Sequence, residues 1–222
     1  MHGWPVVNWL RLYGVALLSG AATTIELIAV TTLFSVGLSV LGAAGRRSSA
    51  AWCRAAVGFY VELIRNTPFI AQLFFIYFGL PSLGPHLGAF TAAILAMTVN
   101  LTAYGIEIVR AGLDAVPAGQ REAARALGLS RTSLFLRIVL PQAMRVIFPA
   151  LASQIVITML ESAVVSTIAV RDLTYQADLV QSRTFQAFRT YLVATLIYLV
   201  LSILLRRALS RGASLLFGAG IG

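Results

Sequence analysis

Long apolar runs separated by short polar stretches dominate this chain of 222 residues. A helix needs about 20 predominantly apolar residues to cross a bilayer, and five runs are long enough. They lie at residues 17–42, 56–80, 87–109, 144–169 and 187–207. The pattern predicts an all-α integral membrane protein with five transmembrane helices.

The second run is irregular because Pro68 lies inside it. The residue before a proline is biased away from the helical conformation, so we expect a break near Asn66–Thr67. A broken membrane helix is tolerated where it faces protein or a water-filled path. A longer amphipathic helix joined to a shorter span also fits the sequence.

Composition supports lipid as the surrounding solvent. Only 11% of the residues are charged and 59% are hydrophobic, whereas soluble domains carry about 25% charged residues. The net charge of +9 is carried by arginines scattered between apolar runs, without the single basic face or the aromatic-basic signature of a nucleic-acid-binding protein. We therefore expect a lipid membrane and no nucleic acid as partner. His2 and His86 are isolated and predict no metal site.

The arginines also predict the orientation in the membrane, since loops rich in Arg stay cytoplasmic. Residues 45–54 and 110–145 are Arg-rich, whereas 81–88 carry no formal charge. Five crossings with the Arg-rich loops inside place the N-terminus outside and the C-terminus in the cytoplasm. The start of the chain lacks the basic region of a cleavable signal peptide, so we expect a retained anchor.

These expectations divide the chain into three regions. Residues 1–16 form an N-terminal segment outside, 17–210 a transmembrane domain containing the cytoplasmic loop 110–143, and 211–222 a cytoplasmic tail.

Residues 119–143 read GQREAARALGLSRTSLFLRIVLPQA and predict two short helices with a tight turn. Gly128 suits the left-handed residue after the first helix, and Ser130 suits the N-cap of the second. Pro141 fits the first turn of the next helix. We expect a small-residue surface on the first helix at Ala123, Ala124 and Ala126, with Arg121, Glu122 and Arg125 around it. An amphipathic helix lying on anionic headgroups is the alternative.

The spacing of this segment resembles the EAA motif of bacterial ABC importer permeases. The matching residues are Glu122, Ala123, Ala124, Gly128, Ile138, Leu140 and Pro141. In that family the motif forms a cytoplasmic coupling helix that docks on the ATP-binding subunit. The resemblance therefore implies that Glu122, Ala123, Ala124, Arg125 and Gly128 couple this chain to an ATPase.

Four further stretches resemble the polar amino acid subfamily of these permeases. They are residues 65–81, 103–130, 140–151 and 164–174, and the resemblance covers roughly residues 20 to 207. This chain has Arg110-Ala111-Gly112 where the subfamily has Arg-Gly-Gly. It has Leu160-Glu161-Ser162-Ala163 where the subfamily has Lys-Asp-Thr-Ser, at the expected substrate contacts.

The resemblance implies a permease subunit of an ATP-driven importer of polar, and in one interpretation basic, amino acids in a bacterial inner membrane. It implies a separate ATP-binding subunit that holds ATP and Mg²⁺, a second permease subunit, either identical or a paralogue, and an extracytoplasmic amino-acid-binding protein. The chain has no G-x-x-x-x-G-K-[ST] loop, so we expect neither ATPase activity nor a cofactor of its own. A stand-alone small channel or secondary transporter is the alternative function.

Acidic residues inside a membrane span are candidates for function. Glu62 and Glu107 each have an arginine three residues on, which favours neutralisation along the helix. Glu26 and Glu161 have no cation at the neighbouring helical positions. Both lie roughly 12–13 Å below the predicted outer surface. They either share a proton or bind a cation such as the ammonium or basic side chain of the cargo; a protonated, hydrogen-bonded carboxyl is the alternative.

Four polar side chains complete the candidate substrate path: Ser162, Asn100, Tyr104 and Gln154. Intramembrane hydroxyls and amides also join helices to one another, which is the alternative for these residues.

Overall fold

The computed structural model describes residues 6–84 and 86–217, with side chains described for 9–84 and 86–213. The described part is helical and contains no β-strand. Its α-helices are α1 (Val6–Arg46), α2 (Ala51–Arg65), α3 (Phe69–Phe74), α4 (Ala89–Asp114), α5 (Ala118–Ala126), α6 (Arg131–Leu134), α7 (Leu140–Glu161), α8 (Leu173–Thr184) and α9 (Ala187–Phe217). Short π-helical turns (Phe75–Gly79, Phe135–Val139) and 3-10 turns (Leu80–Leu83, Ser162–Ile168) extend α3, α6 and α7. The all-α prediction is confirmed.

Four helical stretches are long and apolar enough to cross a membrane. They are Trp9–Arg46, Ala89–Asp114, Arg131–Ile168 and Ala187–Ala213, and the bent pair Ala51–Arg65 with Phe69–Leu83 gives a fifth candidate. These correspond to the five predicted runs. The first helix begins at Val6, so residues 6–16, expected to precede the first span, already belong to α1.

The chain forms two compact units. Unit 1 comprises Met1–Leu33, Thr67–Thr98 and Ile157–Leu204, and unit 2 comprises Phe34–Asn66, Val99–Val156 and Leu205–Gly222. In unit 1, α1, α8 and α9 pack around Trp9, Leu17, Leu173, Ala177, Val180 and Ala194. In unit 2, α1, α4, α5, α6 and α7 contribute to a core of Ala43, Val109, Val116, Ala124, Leu134, Val139, Ala143 and Ile147.

The predicted break in the second run is confirmed, since α2 ends at Arg65 and α3 begins at Phe69. Pro68 has an extended backbone at φ −63° and ψ 139°, and its ring nitrogen carries no hydrogen-bond donor. Side chains donate hydrogen bonds to backbone carbonyls on each side of the break. Asn66 Nδ2 donates to the Glu62 carbonyl at 2.8 Å, and Gln72 Nε2 donates to the Thr67 carbonyl at 3.1 Å.

The fourth span differs from its prediction. The sequence placed its start at residue 144, but the helical stretch already begins at Arg131 and runs to Ile168. Pro141 is the second residue of α7 and so lies in its first turn, as predicted. A π-helical turn at Phe135–Val139 joins α6 to α7, and only Leu140 separates it from Pro141. Because such a turn changes which carbonyl faces each N–H, it accommodates a residue that has no N–H without ending the helix.

Helix α8 is an element that the sequence analysis did not assign. Asp172 is its N-cap and is fully buried. The Asp172 carboxylate accepts a hydrogen bond from the Tyr175 N–H at 2.9 Å and one from the Tyr198 hydroxyl at 3.1 Å. Thr24 Oγ1 accepts from the Leu173 N–H at 3.3 Å. Burial raises the pKa of Asp172 to about 6.

The raised pKa predicts a pH-dependent stability. Because an unfolded aspartate titrates near pH 3.9, the folded chain binds the Asp172 proton more tightly than the unfolded chain does. This stabilisation is complete below about pH 4 and is lost as the pH rises through about 6. We expect the thermal midpoint of the wild type, relative to Asp172→Asn, to fall across this window, since asparagine retains the cap without titrating.

Asp178→Asn is the control, since Asp178 is exposed on the same helix. Its pH profile should still fall as the wild type does, at slightly lower pH, because the charge of Asp178 adds to the rise of the Asp172 pKa. Parallel profiles for the wild type and Asp172→Asn would contradict the assignment.

A second prediction concerns the contact of α1 with the start of α8. A Cβ at Gly20 would lie 2.7 Å from the Asp172 carbonyl oxygen and 2.8 Å from the Leu173 Cα, both backbone atoms. We expect Gly20→Ala to destabilise the protein by about 1–3 kcal/mol because the backbone has to shift. Gly14 lies in the same helix with nothing within 4 Å, so Gly14→Ala should be neutral or stabilise by up to about 1 kcal/mol. Thermal unfolding of both variants measures the difference, and equal midpoints would refute the close contact.

Candidate functional site: the α5 loop and a polar cavity

The α5 loop, residues 115–130, connects α4 to α6. Helix α5 ends in a turn at Gly128, whose φ is +75°. The Gly128 N–H donates to the Arg125 carbonyl at 2.9 Å and the Leu129 N–H donates to the Ala124 carbonyl at 3.1 Å, the paired bonds of a Schellman motif. Ser130 Oγ accepts from the Ser133 N–H at 3.2 Å and so caps α6. The predictions for Gly128 and Ser130 are confirmed.

The two faces of α5 differ in their surroundings. Ala124 is only 2% exposed and belongs to the core of unit 2. The expectation that Ala124 lies on an exposed small-residue surface is therefore wrong, because this alanine packs α5 against its own chain. The exposed side chains of α5 and the residue that follows it are Ala118, Gln120, Glu122, Ala123, Arg125, Ala126 and Leu127, and Leu127 is 80% exposed.

Polar bonds attach the α5 loop to both neighbouring helices. The Arg121 guanidinium donates to the carbonyl of Leu113 near the end of α4. Gln142 Nε2 on α7 donates to Gln120 Oε1 and to the Ile138 carbonyl at 2.9 Å. Hydrogen bonds and the packing of Ala124 therefore connect α5 to α4 and α7.

A polar cavity of about 320 Å³ lies elsewhere in unit 2. Its lining residues are Arg46, Val61, Glu62, Arg65, Asn66, Tyr104 and Glu107. Helices α2 and α4 carry most of these groups, and Asn66 belongs to the break after α2. The break thus contributes directly to the lining.

The charged groups of this cavity fall into two sets. Glu107 pairs with Arg110 at 2.7 Å and with Arg46 at 3.8 Å, which confirms the predicted Glu107–Arg110 pair. Neither Glu62 nor Arg65 takes part in a salt bridge of the described residues, so their predicted mutual neutralisation is wrong.

The Arg65 guanidinium instead lies over the Tyr104 ring, 5.2 Å from its centre. A cation–π contact of this kind leaves the guanidinium edge available for hydrogen bonding. Glu62 and Arg65, neither of which takes part in a salt bridge of the described residues, thus line the same cavity, where the charge of Arg65 also acts on Glu107. This arrangement is chemically suited to a molecule that carries both an ammonium and a carboxylate group.

The other predicted path residues lie outside this cavity. In unit 2, Asn100 is buried and Gln154 is half-buried. In unit 1, Glu26 is exposed, Glu161 is half-buried, and the buried Ser162 donates its hydroxyl to the Met159 carbonyl at 2.7 Å. Only Tyr104 of the predicted set lines the cavity. The role of the six predicted residues in a substrate path remains a prediction.

Comparison with known proteins identifies the family. Residues 35–211 match the binding-protein-dependent transport system inner membrane component family. The chain belongs to this family. It is therefore a multi-pass membrane protein and a membrane component of a transport system that works with a binding protein, and the predicted family is confirmed.

Individual relatives agree with this assignment. The probable glutamine ABC transporter permease GlnM of Bacillus subtilis is 42% identical over 65% of this chain and 67% of its own length. The arginine transport system permease ArtQ of the same organism is 34% identical over 85% of this chain and 87% of its own. A crystal structure of an amino acid ABC transporter with histidines is 35% identical, with a TM-score of 0.86 over 94% of this chain and 97% of that chain.

The turn at Gly128 generates a testable difference between two glycines of the α5 loop. A Cβ meets nothing within 4 Å at Gly128 or at Gly119, but only Gly128 has a positive φ. Gly128→Ala should loosen the turn at a cost of about 1–2 kcal/mol, and Gly128→Asn should recover part of it because asparagine tolerates this conformation. Gly119→Ala should stabilise α5 or leave it unchanged.

Hydrogen exchange of residues 118–130 measures these effects. Equal exchange rates in Gly128→Ala and Gly119→Ala would show that the left-handed turn does not hold the loop.

Proposed function

We propose that this chain is the permease subunit of an ATP-driven importer of polar amino acids, coupled to a separate ATPase through the exposed face of α5. The α5 loop carries the proposal, because its exposed side chains project from a helix fixed to α4 and α7. The names of the glutamine and arginine permeases among the relatives support amino acids as the cargo class.

The partners follow from this role. An ATP-binding subunit holds ATP and Mg²⁺ and hydrolyses the nucleotide, since this chain has no nucleotide-binding loop of its own. A second permease subunit, identical or a paralogue, and an extracytoplasmic amino-acid-binding protein complete the transporter. The chain itself holds no cofactor and converts closure of the ATPase into a change of affinity between two states.

The Arg-rich segments support a cytoplasmic location for the α5 loop. Arg121, Arg125 and Arg131 lie on or beside it, and Arg206, Arg207 and Arg211 lie towards the end of the chain. The N-terminus is accordingly outside the bacterial inner membrane, and the C-terminus is in the cytoplasm.

For the substrate, we infer that the polar cavity forms part of the translocation path. Glu62 faces the ammonium and Arg65 the carboxylate of an amino acid, and Tyr104 and Asn66 add hydrogen-bonding groups. Other parts of the path would be lined by the remaining candidates, which are Glu161, Glu26, Ser162, Asn100 and Gln154. Glu161 would then influence whether the transporter prefers amino acids with basic or with neutral side chains.

The coupling role is tested by Ala123→Arg, which adds bulk and charge to the exposed face of α5 without disturbing the core. We expect the variant to lose co-purification with the ATPase and to lose uptake in proteoliposomes containing all subunits. Ala187→Arg, at an exposed position beginning α9, is the control and should assemble normally. Normal ATPase binding and uptake by Ala123→Arg would refute the docking surface, and uptake without any ATPase would support a stand-alone transporter.

The cavity is tested by Glu62→Gln and Arg65→Gln in the same proteoliposomes. Each removes a charge-assisted contact worth roughly 1.5–3 kcal/mol, so apparent affinity for all amino acids should fall about ten- to hundredfold. Glu161→Gln should impair basic substrates most. Arg137→Gln, exposed and outside the cavity lining, should transport normally. Unchanged uptake by both cavity variants, with assembly intact, would remove this cavity from the path.

A further inference from the structure

A second and larger cavity lies in unit 2, next to the α5 loop. Its volume is about 670 Å³, within the roughly 300–1,000 Å³ typical of ligand pockets. Thirteen of the eighteen lining residues are apolar, and they come from α1, α4 and the continuous helix that begins at α6; Val40, Ala44, Val109 and Met144 are examples. A cavity with such walls favours hydrocarbon over water or a polar solute.

Four arginines also line this cavity, and no carboxylate does among its described lining residues. Arg47 is neutralised by Asp114 at 2.7 Å. Arg121 donates to the Leu113 carbonyl, and its buried Nε has no hydrogen-bond partner in the described part of the chain. The cavity lining therefore carries an excess of positive charge.

The other two arginines, Arg125 and Arg131, are exposed. Neither takes part in an ion pair of the described residues. Both guanidinium groups are thus available to an anion whose apolar part enters the cavity.

We propose that this cavity binds an anionic phospholipid, with one acyl chain against the apolar walls and the headgroup phosphate on Arg125 and Arg131. Binding at this cavity requires both the apolar acyl chain and the anionic headgroup of the ligand. A free phosphate or nucleotide has nothing to place in the apolar part, and a lipid without net charge leaves the arginines unneutralised. Basic pockets beside membrane helices are suited to anionic headgroups for this reason. The site is separate from the polar cavity and independent of which amino acid is carried.

Native mass spectrometry of the purified, delipidated full chain in a neutral detergent tests the proposal. We expect phosphatidylglycerol to bind at least about tenfold more tightly than phosphatidylcholine of the same chain length, and millimolar inorganic phosphate not to displace it. The double variant Arg125→Gln/Arg131→Gln should lose this preference, with phosphatidylglycerol affinity falling by about tenfold or more. The ATPase is absent from this assay, so a role of Arg125 in docking does not affect the readout.

Two further variants test whether binding depends on contacts with the headgroup and the acyl chain or only on the net charge of the protein. Arg137→Gln/Arg145→Gln removes the same charge at exposed positions outside the cavity lining and should bind within about twofold of the wild type. Ala44→Trp keeps all four arginines but fills the apolar part, and should bind phosphatidylglycerol as weakly as the double variant.

Three outcomes would overturn the assignment. Equal binding of the two lipids would exclude headgroup recognition, an equal loss in the control pair would indicate charge alone, and full binding by Ala44→Trp would place the acyl chain elsewhere. Displacement of phosphatidylglycerol by formation of a protein dimer would assign the cavity to a second copy of the chain.

Discussion

Every backbone N–H and C=O within a bilayer needs a partner inside the protein, because hydrocarbon offers none. Long helices satisfy this requirement automatically, and each interruption has to satisfy it by other means. At Asn66–Pro68 the side chains of Asn66 and Gln72 donate to the carbonyls of Glu62 and Thr67 on either side of the break. At the start of α8, Asp172 and Thr24 accept from the first N–H groups. Polar side chains therefore complete the hydrogen bonding of the backbone at these two interruptions.

Charged side chains in unit 2 need partners in the same way as backbone groups do. Glu107 is held by Arg110 and Arg46, so its charge is balanced by its own chain and contributes to packing. Glu62 and Arg65 line the same cavity and take part in no salt bridge of the described residues. Whether a carboxylate here is balanced by its own chain depends on the cations that the fold brings near it, and sequence position alone does not decide it.

Local signals in the sequence predict much of the fold. Pro68 marks the break, and Gly128 and Ser130 mark the turn after α5, because the backbone preferences of these residues act over only a few positions. Features that depend on distant residues were not predictable in this way. Ala124 is buried because Val116 and Leu134 pack in the same core, which the composition of α5 does not reveal.

The same limit applied to the candidate site. The spacing of Glu62 and Arg65 favoured an ion pair, but the Tyr104 ring of another helix engages the guanidinium instead. Helix α8 was recognisable in principle from its Asp172 cap, although its short length and mixed polarity resemble a loop.

The π-helical turn at Phe135–Val139 has a geometric consequence for the α5 loop. It lies between α6, which receives the chain from that loop, and α7, which continues towards Ile168. One additional residue in a helix rotates everything beyond it by about 100° around the axis, because a turn contains 3.6 residues. The π turn therefore sets how far α6, where the α5 loop enters, is rotated about the helix axis relative to α7. Deletion of a single residue there would rotate α6 relative to α7 about the helix axis, although the sequences of α6 and α7 would be unchanged.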